Sequence, residues 1–225
     1  MSYPADPPPV DPRYVLAVRT VPFTLRGDVV ELVPLELSHA YALADAAAGE
    51  RSSYRFTEVP ADAAAMTAYV DRLLAQRDAD GAVPFAQRRL ADDRLVGCTR
   101  FMELRWWPTS TRPDDPPNEV EIGGTWLAFD AQRSGVNTEA KLLLLTHAFE
   151  TWRVHRVALC TDARNEASRV AIERIGARFE GILRHHRPST VEGEEGRPRD
   201  SALYAFTDHD WPAIRECLQS RGRAG

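Results

Sequence analysis

The 225 residues, 44% of them hydrophobic and 27% charged, suffice for one globular domain around a single core and exclude a low-complexity class. A formal net charge of -5 excludes the basic field that holds nucleic acid non-specifically. The three cysteines, Cys98, Cys160 and Cys217, are odd in number and match no zinc or redox spacing, so reduced thiols and no metal are expected.

Residues 1–12 (MSYPADPPPVDP) are polar and proline-rich, which predicts a loose arm rather than a signal peptide. No stretch reaches the roughly 18 apolar residues of a membrane span, and a cytoplasmic protein is expected. Residues 13–220 read as one domain, with a loose tail at 221–225. Strand character begins at 28–34. Ser38 is placed to cap a helix ending near Ala48, with Tyr41, Leu43 and Ala47 as its apolar surface. Over 61–77, Met66, Tyr69, Val70, Leu73 and Leu74 recur at i, i+3, i+4, i+7 and i+8, an amphipathic helix. Two strands follow, 83–90 and 95–104, joined by a turn at 91–94. The proline-rich loop 108–117 (PTSTRPDDPP) reads as a plain insertion or as a substrate lid.

The second half predicts a strand at 120–129, a largely buried helix at 138–152, a buried strand at 156–161 and a helix at 165–175. Late strands at 177–186 and 201–206 enclose a turn at 192–195, and a helix closes the chain at 208–218. This order predicts an α/β (α+β) fold, a mixed and mostly antiparallel central sheet with helices on both faces.

The chemistry concentrates at 127–140 (LAFDAQRSGVNTEA), where a strand passes through a polar loop into a buried helix. The first N–H groups of a helix lack internal acceptors and sit at the positive end of its dipole. With Gly135 free to curl, the junction predicts an anion site, and a diphosphate is its natural guest. It lacks the Gly-Lys-Ser/Thr ending of a phosphate-binding loop and the Gly-x-Gly-x-x-Gly of a dinucleotide fold.

Gln132-Arg133-Ser134-Gly135-Val136-Asn137 resembles the Gln/Arg-x-x-Gly-x-Gly/Ala coenzyme A motif of the GNAT superfamily. Glu121-Ile122-Gly123 and Thr138-Glu139-Ala140 resemble the flanking segments of its ribosomal-protein acetyltransferase branch. Asn165-Glu166-Ala167-Ser168 and Gly176-Ala177-Arg178-Phe179-Glu180-Gly181 resemble that branch's Asn-x-x-Ser and Gly-Phe-x-x-Glu-Gly. The resemblance runs over about 25–218. Asn137 departs from the usual Gly or Ala, and Ala177 from the usual Phe; Asn137 is expected near the phosphates, able to cap the helix.

The resemblance implies an N-acetyltransferase that takes acetyl from acetyl-CoA, without a metal. It implies cofactor contacts at Leu127, Phe129, Gln132, Arg133, Ser134, Gly135, Val136, Asn137, Thr138, Lys141, Asn165 and Ser168. It also implies a strand splayed at a bulge, for which Gly123-Gly124 is suited, and Ser168 as the group that protonates the departing sulfur. Glu121 is the base candidate, since a carboxylate on a central strand is costly to bury unless used; the alternative is an ion-paired glutamate. Lys141 is the only lysine and falls in the first turns of a helix, where a nearby phosphate would offset its unfavourable dipole. His147 reads as a core histidine; Arg55, Glu58, His185 and His186 are placed at the acceptor mouth. The expected acceptor is a peptide or protein N-terminal α-amine, with a small-molecule amine or a non-catalytic CoA-binding module as alternatives. No nucleic acid or membrane partner is expected, and a homodimer is left open.

Overall fold

The computed structural model describes residues 22–108 and 115–222. The N-terminal arm, the middle of the proline-rich loop (109–114) and the last three residues lie outside the described residues. In chain order the elements are β1 (Leu25–Arg26), β2 (Val30–Pro34), α1 (Ala40–Ala47), α2 (Ala63–Asp78), β3 (Ala82–Arg89), β4 (Arg94–Arg105) and β5 (Glu119–Leu127). Then come α3 (Val136–Thr146), β6 (Arg156–Asp162), α4 (Glu166–Arg174), β7 (Arg178–Pro188), β8 (Pro198–Thr207) and α5 (Trp211–Gly222). The strands form one sheet in the order β1-β2-β3-β4-β5-β6-β8-β7. Every pair is antiparallel except β5 with β6. None of the described helices is long and apolar enough to cross a membrane.

Strand alternation divides the buried residues into two clusters. Leu43 of α1 and Met66, Tyr69, Val70 and Leu73 of α2 pack with Ala86, Cys98 and Trp126. Val136, Leu144 and Leu145 of α3, Ile172 of α4 and Leu218 of α5 pack with Phe85, Phe101 and Ile122. The periodicity that predicted α2 is the one that buries it. Asp62 begins this helix, its side chain accepting from the Ala65 N–H at 2.8 Å, a cap worth about 1 kcal/mol.

Three local expectations are corrected. Ser38 does not cap α1: the chain enters through a 3-10 turn, Leu37–His39, closed by Glu36 and His39, and the Ser38 hydroxyl bonds Glu36. Tyr41 is 74% exposed, because the apolar face of α1 is Ala40, Leu43 and Ala47. Helix α3 starts at Val136, two residues before the expected 138, because Gly135 turns the chain into it directly; its end widens into a π-helical segment, His147–Thr151.

Candidate active site

The site begins with one extra residue. Cys98 pairs with Trp126, but Arg100 pairs with Gly123, so two steps on β4 face three on β5. Gly124 supplies the surplus at φ +56, where a side chain would be strained. It also lies under the Arg100 guanidinium: a Cβ there would sit 2.8 Å from the Arg100 Cζ. The bulge inverts the strand's faces. Ile122 joins the α3 side, whereas Trp126, four residues on, joins the α1–α2 side. Next to the bulge, pairing of β5 with β6 stops. Only Glu119, Val120 and Glu121 find partners, in Arg156, Val157 and Ala158. Beyond them the two parallel strands diverge and open a gap in the middle of the sheet.

Helix α3 starts beside that gap. The loop before it is fixed from within: the Gln132 amide donates to the Leu127 carbonyl at 3.1 Å and to the Ser53 hydroxyl at 2.9 Å, and the Ser134 hydroxyl donates to the Ala131 carbonyl at 2.5 Å. Arg133 stands at φ +59 and Gly135 at φ +87. Gly135 occupies the cap position, so no side chain covers the first-turn N–H groups of Val136, Asn137 and Thr138. A Cβ on Gly135 would touch nothing within 4 Å, so the glycine serves the backbone angle and an open approach. Leu127 is buried and Phe129 is 47% exposed at the loop's edge. Glu139 faces away, accepting from the backbone N–H groups of Asp28, Val29 and Val30 at 2.7–2.8 Å, and so ties the β1–β2 turn to α3.

A cavity of about 530 Å³ runs from this gap toward the loop before α2, within the range of small-ligand sites. Asn137, Lys141 and Ser168 line it together with the Gly123–Gly124 bulge. Asn137 departs from expectation. It neither caps the helix nor turns to the loop; its Oδ1 is buried without a hydrogen-bond partner and aims an acceptor into the molecule. Lys141 is 5% exposed, and its ammonium donates to Thr125 Oγ1 at 2.7 Å, which in turn meets Thr99 Oγ1 at 2.8 Å. Burial, with no carboxylate to oppose it, pushes its pKa down to about 7. A phosphate at the loop therefore does not explain this lysine: its head lies beneath β5. Asn165 caps α4, its Oδ1 accepting from the Ser168 N–H at 3.1 Å, and it stands outside the cavity wall. Ser168, by contrast, lines the cavity, and its hydroxyl has no hydrogen-bond partner among the described residues.

Glu121 is buried, 5% exposed, and is committed to a partner. Both of its oxygens accept from Arg187, at 2.8 and 2.7 Å, and Glu103 stands 3.6 Å from the same guanidinium. Two charge-assisted bonds hold both carboxylate oxygens in place. His147 is a core residue, stacked on Phe23 at 4.1 Å, with its pKa pushed by burial down to about 4. His185 lies in a bulge of β7 and His186 faces a second cavity, of about 360 Å³; neither lines the larger one, and Arg55 does not either. Glu58 does.

Sequence reasoning missed three arginines on the cavity wall: Arg100, Arg187 and Arg199. An arginine inside a predicted strand, as at Arg100, was a usable signal. Arg187 and Arg199 face each other only through the β7–β8 register, which no local pattern reveals.

With this geometry in view, the family can be stated. A model of the GNAT acetyltransferase domain matches residues 30–178, more than half of the chain. The chain belongs to the GNAT acetyltransferase family. This GNAT chain is 41% identical over 100 residues, 44% of its length, to "Putative ribosomal N-acetyltransferase YdaF" of Bacillus subtilis; the match spans half of that relative's length. A GCN5-related N-acetyltransferase of Brucella melitensis superposes with a TM-score of 0.75 at 27% identity, covering 88% of this GNAT chain and 84% of its own. A "putative acetyltransferase" of T. thermophilus does so with a TM-score of 0.72 at 31% identity, covering 90% and 98%.

Proposed function

We propose that this GNAT protein moves acetyl from acetyl-CoA to a primary amine, with a protein or peptide N-terminal α-amine as the acceptor. One observation carries the reading. Asn137 in the uncapped first turn of α3, the Gly123–Gly124 bulge beside the β5–β6 gap, and Ser168 line one cavity. The open N–H groups after Gly135 fit a diphosphate. The orphaned Asn137 amide and the unpaired edge of β5 fit the amides of a pantetheine arm laid through the gap.

Acetyl-CoA supplies the activated thioester. The β5 backbone N–H groups left free by the gap stabilise negative charge growing on the carbonyl oxygen. Glu121, held in place by Arg187, attracts the acceptor ammonium and orders a water that takes its proton. The amine nitrogen then bonds to the acyl carbon, the carbon–sulfur bond breaks, and the Ser168 hydroxyl gives its proton to the leaving sulfur and is reprotonated by the proton that the nitrogen sheds. Without a strong base, acidity favours an α-amine: deprotonating one near pH 7 costs roughly 1 kcal/mol, against roughly 4–5 kcal/mol for a lysine amine. The name of the Bacillus subtilis relative supports a protein acceptor.

The test is thiol release from acetyl-CoA with two peptide sets. Peptides with free N-termini should be acetylated there. The same peptides with blocked N-termini and an internal lysine should not. Efficient acetylation of the blocked set would contradict the acceptor assignment.

A further inference from the structure

The charges on the cavity wall do not cancel. Glu58 is bonded to Arg72 at 2.6 Å, and both Glu121 and Glu103 are gathered by Arg187. Arg100 and Arg199 are left with no ion pair or hydrogen bond among the described residues, and each has a buried, unpartnered Nε. Asp162, the nearest acid to Arg199 on β6, is spent on Arg164 at 2.8 Å. Burial accordingly pulls Arg199 below its ordinary pKa. The second cavity behaves otherwise. Its arginines all have carboxylates: Arg105 and Arg156 meet Glu119, Arg156 also meets Glu180, and Arg187 meets Glu121.

An arginine in open water needs no counter-ion, because solvent screens it. A guanidinium whose Nε is withheld from water loses hydration and gains nothing in return unless a ligand supplies the acceptors. Acetyl-CoA does not supply them in this part of the cavity. Its phosphates belong at the start of α3, and the pantetheine arm is uncharged. The missing anion must therefore arrive with the acceptor.

We propose that the acceptor amine carries a carboxylate a few bonds from the reacting nitrogen, bound by Arg100 from the β4 side and Arg199 from the β8 side. The planar fork of each guanidinium suits a carboxylate. Two kinds of molecule carry it: a free α-amino acid, or a peptide N-terminus followed by Asp or Glu. This inference rests on the transferase reading above; an acidic peptide N-terminus narrows its acceptor, and a free α-amino acid replaces it.

The experiment uses the full chain, acetyl-CoA and matched acceptors: peptides starting Ser-Glu against Ser-Gln, and alanine against alaninamide. The carboxylate member of at least one pair should have the higher kcat/KM by about ten-fold or more, since a site built for a charged group rejects the neutral analogue. A preference in the first pair alone points to acidic protein N-termini, and in the second alone to amino acids. In Arg100→Gln and Arg199→Gln that ratio should fall toward one, whereas Arg199→Lys, which keeps the charge, should retain most of it. Thermal unfolding establishes that each variant is folded. Turnover with no carboxylate preference in either pair overturns the inference alone, as does a ratio unchanged in both Gln variants. No turnover with any amine overturns the transferase reading and this inference with it.

Discussion

Ser168 and Asn165 occupy neighbouring positions at the start of α4 but do different work. Asn165 is spent on the cap, so Ser168 has no structural task beyond its place in the helix. Ser168→Ala should therefore leave thermal unfolding nearly unchanged and lower kcat by roughly 10- to 10⁴-fold, the range for one acid–base group. Acetyl-CoA affinity should hardly move. A kcat within twofold of the unsubstituted protein would reduce Ser168 to a helix residue. Lys141 presents the opposite balance, a structural cost at a functional position. In the unfolded chain it stays protonated to about 10.4, whereas in the fold burial holds it at about 7. Between those values the unfolded chain binds the extra proton, so the cost of this lysine grows as pH falls from 10 to 7 and is constant below. Lys141→Met should raise the Tm most at or below about pH 7, with a gain that shrinks as pH approaches about 10. Unfolding curves across that range check it; a gain that grows with pH would contradict the burial argument.

At the scale of elements, local patterns carried the reading where one pattern sufficed. The periodicity of Met66, Tyr69, Val70 and Leu73 gave α2 its buried face, and the Gly123-Gly124 pair marked the bulge. What depended on pairing between distant segments was hidden. Glu121 stood as a base candidate with an ion pair as the alternative, because nothing near it in sequence reveals Arg187, 66 residues away and set against it by the β7–β8 hairpin. Ser38 looked like a cap because the pattern does not distinguish an α-helical entry from the 3-10 turn that Glu36 and His39 close. Lys141 was noticed for its rarity, but its direction follows from α3 starting at Val136, which turns the side chain under β5 toward Thr125. Asn137, expected to be able to cap α3, lines the cavity while Gly135 holds the cap position.

Over the whole molecule, one extra residue in one strand organises the sheet and the cavity beside it. The Gly124 bulge reverses the faces of β5, parts it from β6 and lets each half of the strand serve a different core. The start of α3 then meets the gap, and a single cavity runs from Asn137 in its first turn to Glu121, Arg100 and Arg199. The proposed function requires acetyl-CoA to enter by this route, with its diphosphate on the N–H groups after Gly135. Calorimetric titration of acetyl-CoA into the unsubstituted protein and into Gly135→Val measures it directly. The Cβ of a valine would meet no atoms there, but a β-branched residue cannot easily hold φ +87, so the turn should open and the first N–H groups should swing out of line. The account predicts a folded variant whose acetyl-CoA affinity falls by about ten-fold or more, as expected when charge-assisted hydrogen bonds are lost. Equal affinity in the two folded proteins would contradict it.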